Sequence, residues 1–315
     1  MNIDVHAHLY PKPFLDCLDE HDIDLALPGL PFKIFPTLYD PAERLADMDT
    51  GRLDMQVLSL GCPGVDAGDA RQSVLLAQRF NDAVADVVRD QPDRFAGFAA
   101  IPLQDVGAAV VEFERAVREL NLRGGQVFTN VRGKFLDAPE FWPLYEAAED
   151  LGVPIFIHPT TPVCMVGAEE WGLMISVAFL FDTTMTATRL ALSGVLERFP
   201  ALQMILPHLG ATLPYVLPRI DIETETLSHF IEAAAPPITR PPSDYLLRFH
   251  IDTVSHHPAA LRCAIDTWGV DKILLGSDYP YSVWHRAVAS IEELGLPAED
   301  HAAICGGNAR RLLRL

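Results

Sequence analysis

Eight short apolar runs, most of them followed by a longer amphipathic stretch, constrain this chain more than any other feature. They read NIDVHAH (2–8), DMQVLSL (54–60), FAGFAAI (95–101), LRGGQVF (122–128), VPIFIH (153–158), LQMILPH (202–208), FHIDTV (249–254) and KILLGSD (272–278). Helical patterns such as AAVVEFERAVREL (108–120) and FWPLYEAAEDLG (141–152) lie between them. Near-continuous apolar runs predict parallel strands covered on both faces, and helices are the usual cover. Eight strands alternating with helices predict an α/β fold, a (β/α)8 TIM barrel, as one domain over 1–315. A doubly wound sheet is the competing arrangement, but no glycine-rich phosphate fingerprint follows the first run. Two connections are long, 9–40 after the first strand and 209–247 after the sixth, and both are candidate lids or subunit contacts over the barrel mouth.

Composition narrows the function classes. With 315 residues, 49% of them hydrophobic, the chain can bury a large core. A formal charge of −19 argues against nucleic acid and anionic membrane surfaces as partners. No apolar run approaches the ~20 residues of a membrane span, and the N-terminus lacks the pattern of a secretory signal. The five cysteines are odd in number and follow no CxxC spacing, so they read as free thiols in a reducing cytoplasm.

A barrel carries its chemistry at the C-terminal ends of its strands. There the first run ends in His6 and His8, two residues apart and so on one face of a strand. The fifth ends in His158, the sixth in His208 and the eighth in Asp278. Three imidazoles and a carboxylate suit one divalent ion of the zinc type with a position left open. His208 is either a further ligand or an acid–base group, since an imidazole titrates near neutrality. The fourth run ends without the lysine that bridges two metals after carboxylation, so one metal is expected.

These residues, with GSDYP on the eighth strand, resemble the amidohydrolase superfamily. Within it the match is to the amidohydrolase-2 group and its aminocarboxymuconate semialdehyde decarboxylase branch. The likeness extends through DPAERLADMD (40–49), IPLQD (101–105), LALSGVLERFP (190–200), RPPSDYLLRFHIDT (240–253) and GGNARRLL (306–313). It implies His6, His8, His158 and Asp278 as metal ligands, Zn2+ with Mn2+ as the alternative, and His208 as the catalytic acid–base. Trp171 resembles a pocket wall, and Arg219 resembles an arginine that reaches a substrate carboxylate in the neighbouring subunit, implying a homodimer. Tyr281, three residues after Asp278, is a further candidate wall. One departure stands out: where the branch has a second substrate-binding arginine, the segment GLPFKIFPTLYDPAER (29–44) offers only Lys33 ahead of LYDPAER. Lysine lacks the bidentate fork that suits a carboxylate, which shifts the expected substrate from a dicarboxylate toward a monocarboxylate, an aromatic hydroxy acid.

The resemblance implies non-oxidative decarboxylation of a small aromatic or unsaturated acid, with Asp278 and His208 handling the proton. The alternative for the same ligand set is hydrolysis of an ester, lactone or amide, or hydration of a double bond, by metal-activated water.

Overall fold

Strands form where the apolar runs fall. The structure, a computed structural model, describes residues 1–25, 36–231 and 235–315. Its barrel strands are β1 (Ile3–His8), β2 (Met55–Ser59), β3 (Phe95–Gly97, continued by Ala99–Ala100), β4 (Gly125–Phe128), β5 (Ile155–His158), β6 (Met204–Leu206), β7 (His250–Asp252) and β8 (Ile273–Leu274). Neighbours pair in parallel from β1 to β8. At β3 the pairing changes hands: Phe98 N donates to Leu58 O and Ala99 N to Gly124 O, both at 2.9 Å. The ring closes between β8 and β1, where Val5 N donates to Leu275 O at 2.9 Å, and Asp278 N to His6 O and His8 N to Tyr279 O at 2.8 Å.

Two apolar layers hold this ring. Val5, Val57, Phe98, Phe156, Ile205 and Leu274 fill its interior, and Ala309 and Leu313 of the helix Asn308–Leu313 cover its base. A larger shell packs between strands and outer helices, including Phe80 of Ala70–Asp90 and Phe113 of Val106–Arg118. Those helices follow the expected patterns: Asp69 caps the first through a capping box and Asp105 caps the second through Ala108 N.

Strict alternation would put Ile3, Val5 and Ala7 on one face of β1 and Asp4, His6 and His8 on the other. The β1–β2 register instead shifts by one residue between Asp4 and Ala7. This bulge lets Val5 pack in the interior while the His6 ring, 5.1 Å from that of Phe156, also faces inward above it. Asp4 remains on the other side, accepting from Ser277 N, Ser277 Oγ and Gln56 Nε2. Buried Arg44 of the helix Pro41–Thr50 completes that outer network by donating to Gln56 Oε1 and to the carbonyl of His8.

The long connections are partly helical. The first carries Lys12–Glu20, and the second carries Leu213–Phe230 and Pro242–Leu246. Lys33 lies outside the described residues.

Candidate metal centre

Each strand end delivers its side chain to one point. His6 Nδ1 bonds Asp252 Oδ2 at 2.7 Å, which orients the ring with Nε2 toward the centre. That Nε2 is 3.1 Å from His8 Nε2 and 3.3 Å from Asp278 Oδ1, and His8 Nε2 is 3.2 Å from the same carboxylate oxygen. His158 donates from Nδ1 to Pro159 O at 2.7 Å, which fixes its tautomer and leaves a buried Nε2 with no partner. Its ring lies 4.7 Å from that of His8 and 5.1 Å from that of His6. His208 brings Nε2 to 4.0 Å from Asp278 Oδ2, and its buried Nδ1 has no partner.

His208 and Asp278 both sit in the left-handed region, with φ of 53° and 58°. Such conformations in non-glycine residues store strain of order 1–3 kcal/mol and persist where the surroundings impose them. For Asp278 the restraint is visible: its N–H is held by His6 O, and its own carbonyl accepts from Tyr281 N at 2.8 Å.

Burial and neighbouring charge set the protonation states. Burial alone would keep Asp278 neutral, but the charge and hydrogen bonds of His6, with a bond from His8, hold it well below the usual carboxylate range. Burial drives His8 down to about 4 and pushes His158 and His208 down as well, so these three imidazoles are neutral. His6 goes the other way: burial opposes its charge, yet Asp278 and Asp252 raise it to about 10. The two carboxylates thus demand a positive charge at this point.

That demand is the test of a metal, and the residues pass it. His6, His158, His208 and Asp278 each offer one donor atom within 4.8 Å of one another, with His8 Nε2 against two of them. His8, His158, His208 and Asp278 are already in the protonation states that ligation requires, and a cation held there would take the place of the extra proton on His6; the orphaned nitrogens of His158 and His208 have no partner. The structure therefore brings together all five side chains named at the strand ends.

The other expected residues divide. Tyr281 reaches the centre, its ring 5.6 Å from that of His8. Trp171 does not: it is 87% exposed on the segment after β5. Arg219 is 76% exposed on the helix Leu213–Phe230, where it pairs with Glu223. Asp252, at the end of β7, is the partner of His6 Nδ1 and a support for Leu209 N and Val254 N. Burial first, and Asp278 next, push the Cys62 thiol up to about 12, which removes it as a nucleophile.

Comparison with known proteins agrees with this geometry. The 2-amino-3-carboxymuconate-6-semialdehyde decarboxylase of Dictyostelium discoideum is 30% identical, over 100% of this chain and 92% of its own. A solved structure of the 5-carboxyvanillate decarboxylase of Sphingomonas paucimobilis superposes with a TM-score of 0.92 at 32% identity, covering 100% of this chain and 99% of the other. The dihydroxybenzoic acid decarboxylase of Polaromonas sp. JS666, solved with bound manganese and the inhibitor 2-nitroresorcinol, superposes at 0.86 with 30% identity over 100% and 97%. The family model described as amidohydrolase matches residues 3–315, and with that match across the barrel the chain belongs to the amidohydrolase family.

Proposed function

We propose that this chain is a metal-dependent, non-oxidative decarboxylase of a small aromatic or unsaturated carboxylic acid. The observation that carries the reading is the convergence of five strand-end side chains on one buried point that requires a cation. Its relatives supply the reaction class: the Dictyostelium, Sphingomonas and Polaromonas proteins are decarboxylases by name.

His6, His8, His158 and Asp278 are the ligands in this reading, and His208 is the acid–base. Zn2+ suits an imidazole-rich donor set, and Mn2+, the ion in the Polaromonas structure, is the alternative. A divalent ion held by these residues would supply Lewis-acid stabilisation of charge developing on substrate oxygens. In the reaction the carbon–carbon bond to the carboxylate breaks, CO2 leaves, and the electron pair left on carbon takes up a proton. Three features support His208 as the carrier of that proton: its imidazole is neutral, it is 15% exposed, and its Nε2 faces Asp278 at 4.0 Å. Asp278, held ionised by His6 and His8, stabilises the imidazolium when His208 is protonated. Tyr281 walls the centre beside His8.

The active form in this reading is a cytoplasmic homodimer. Tyr215 (88%) and Phe230 (82%) are exposed on the same helix as Arg219, an apolar surface suited to a second copy. Arg219 then reaches the substrate carboxylate of the neighbouring site, with Trp171 and Lys33 as further substrate contacts. Among the described residues no helix is long and apolar enough to cross a membrane.

The test is CO2 release from a panel of hydroxybenzoates and muconate-type acids, using protein stripped of metal and reloaded with Zn2+ or Mn2+. Metal-dependent CO2 release supports the reading, and the better ion identifies the cofactor. Metal-dependent ester or lactone cleavage with no CO2 from any acid sinks it and makes the chain a hydrolase.

A further inference from the structure

At the other end of the barrel, beneath the start of β7 and β8, lies a solvent-open cleft of about 340 Å³. His250, the first residue of β7, forms part of its wall, and Lys272 enters just before β8. Arg311 comes from the helix Asn308–Leu313 and Arg314 from the residue beyond its end. Asp271 is the one acidic residue lining it.

Arg311 is fixed there without an acidic partner. Arg311 Nη2 donates to Asn308 Oδ1 at 2.7 Å, and Asn308 Nδ2 donates to the carbonyls of Val270 and Ile273 at 2.8 Å. The guanidinium is thereby tied to the start of β8. Arg314 lies close to Gly152, where an added Cβ would fall 2.5 Å from its Nη2. Elsewhere Arg52, Arg94, Arg115 and Arg189 each hold a carboxylate. Among the described residues, no carboxylate forms a salt bridge with Lys272, Arg311 or Arg314. His250 is 7% exposed, and its Nδ1 has no hydrogen-bond partner. Burial, then Lys272 and Arg311, push its imidazole down to about 3, so it is neutral and one ring nitrogen is available as a donor.

Three cations against one carboxylate leave an excess of two positive charges, in a chain whose formal net charge is −19. A phosphate group carries about −1.5 to −2 at neutral pH, and its oxygens satisfy several cations at once, whereas a single carboxylate has two. Guanidinium groups favour this partner through forked hydrogen bonds.

We propose that this cleft is an anion site for phosphate or a phosphate monoester, held by Lys272 and Arg311 with Arg314 and His250 beside them. It is separate from the metal centre and does not depend on which reaction occurs there.

The test is thermal unfolding of the intact, metal-loaded protein against rising inorganic phosphate, with potassium chloride at matched ionic strength beside it. Glucose 6-phosphate serves as the monoester probe. We expect a saturable rise in Tm with phosphate and none with chloride. The half-effect concentration should rise at least tenfold in Lys272→Gln/Arg311→Gln. Arg311→Lys, which keeps the charge and loses the fork, should fall between. Asp278→Asn should retain the response, because phosphate acting at the metal centre would lose it there. A lower half-effect concentration for glucose 6-phosphate assigns the remaining volume to the organic part of an ester, and a higher one assigns the site to free phosphate. An equal rise with chloride, a response retained in the double variant, or one lost in Asp278→Asn overturns the proposal.

Discussion

The two ends of this barrel place histidines in opposite electrostatic surroundings. At the mouth His6 lies between Asp252 and Asp278, and its imidazole is raised to about 10 despite burial. At the base burial, Lys272 and Arg311 press His250 down to about 3. Both residues are buried, so burial alone cannot explain the difference. Its source is the neighbouring charge, negative at one end and positive at the other. β7 touches both ends: His250 begins it, Asp252 ends it, and Ile251 between them packs outward under the helices. The acidic balance of the whole chain describes neither end, since a pocket responds to the charges within a few ångströms of it.

If the mouth is a catalytic metal centre, removing its proton carrier and removing its metal must be separable. His208→Asn should lower kcat/KM by about 10²–10⁴-fold, the usual contribution of a general acid–base group. Metal content, measured by atomic emission, should stay near one per chain. A variant that loses metal in step with activity would make His208 a ligand and return the acid–base role to Asp278.

Asp252→Asn has a smaller expected effect. It leaves every proposed ligand in place and removes the carboxylate that orients His6 through Nδ1. Metal affinity should fall about 10–100-fold, as is usual when such an outer partner is lost. Turnover should recover largely at saturating metal. A chelator competition titration, read beside activity against added metal, separates this from a defect in chemistry. Unchanged affinity would show that Asp252 is only a structural group supporting the loop at Leu209 and Val254.

The strand ends were legible in the sequence because a barrel turns linear position into spatial convergence. His6, His8, His158, His208 and Asp278 each close an apolar run, and the fold brings such ends together. Three features were not legible. The bulge in β1 depends on a register shift against β2 that leaves no sequence mark, and it is what lets Val5 and His6 both face inward. The division of β3 at Phe98 depends on which neighbouring strand each half pairs with. Asp252 lies within a run rather than at its end, so its bond to His6 appears only when the ring closes and leaves β8 alone between β7 and β1. The basic cleft at the base was hidden differently, since His250, Lys272, Arg311 and Arg314 come from three segments, and no motif spacing joins them.

A third expected effect separates the two ends by pH. In the fold His250 titrates near 3, and an unfolded histidine near 6.5. Between those values the unfolded chain binds one more proton than the native one, so this residue's contribution to stability is full above pH 6.5 and is lost as pH falls toward 3. The slope it adds is about 1.4 kcal/mol per pH unit inside that window. Asp4 and Asp66, both raised to about 6 chiefly by burial, add slopes of the opposite sign over the upper part of the same range. The informative quantity is therefore the difference between the parent and His250→Gln in urea unfolding across pH 4.5–6.5. The parent should lose stability faster on acidification, and phosphate should shrink the gap, because an anion beside Lys272 and Arg311 favours the imidazolium. Parallel curves without phosphate would mean that the base does not hold His250 neutral. Curves that diverge equally with and without phosphate would leave the cations acting on His250 with no anion between them, and that would break the proposed contrast between the two ends.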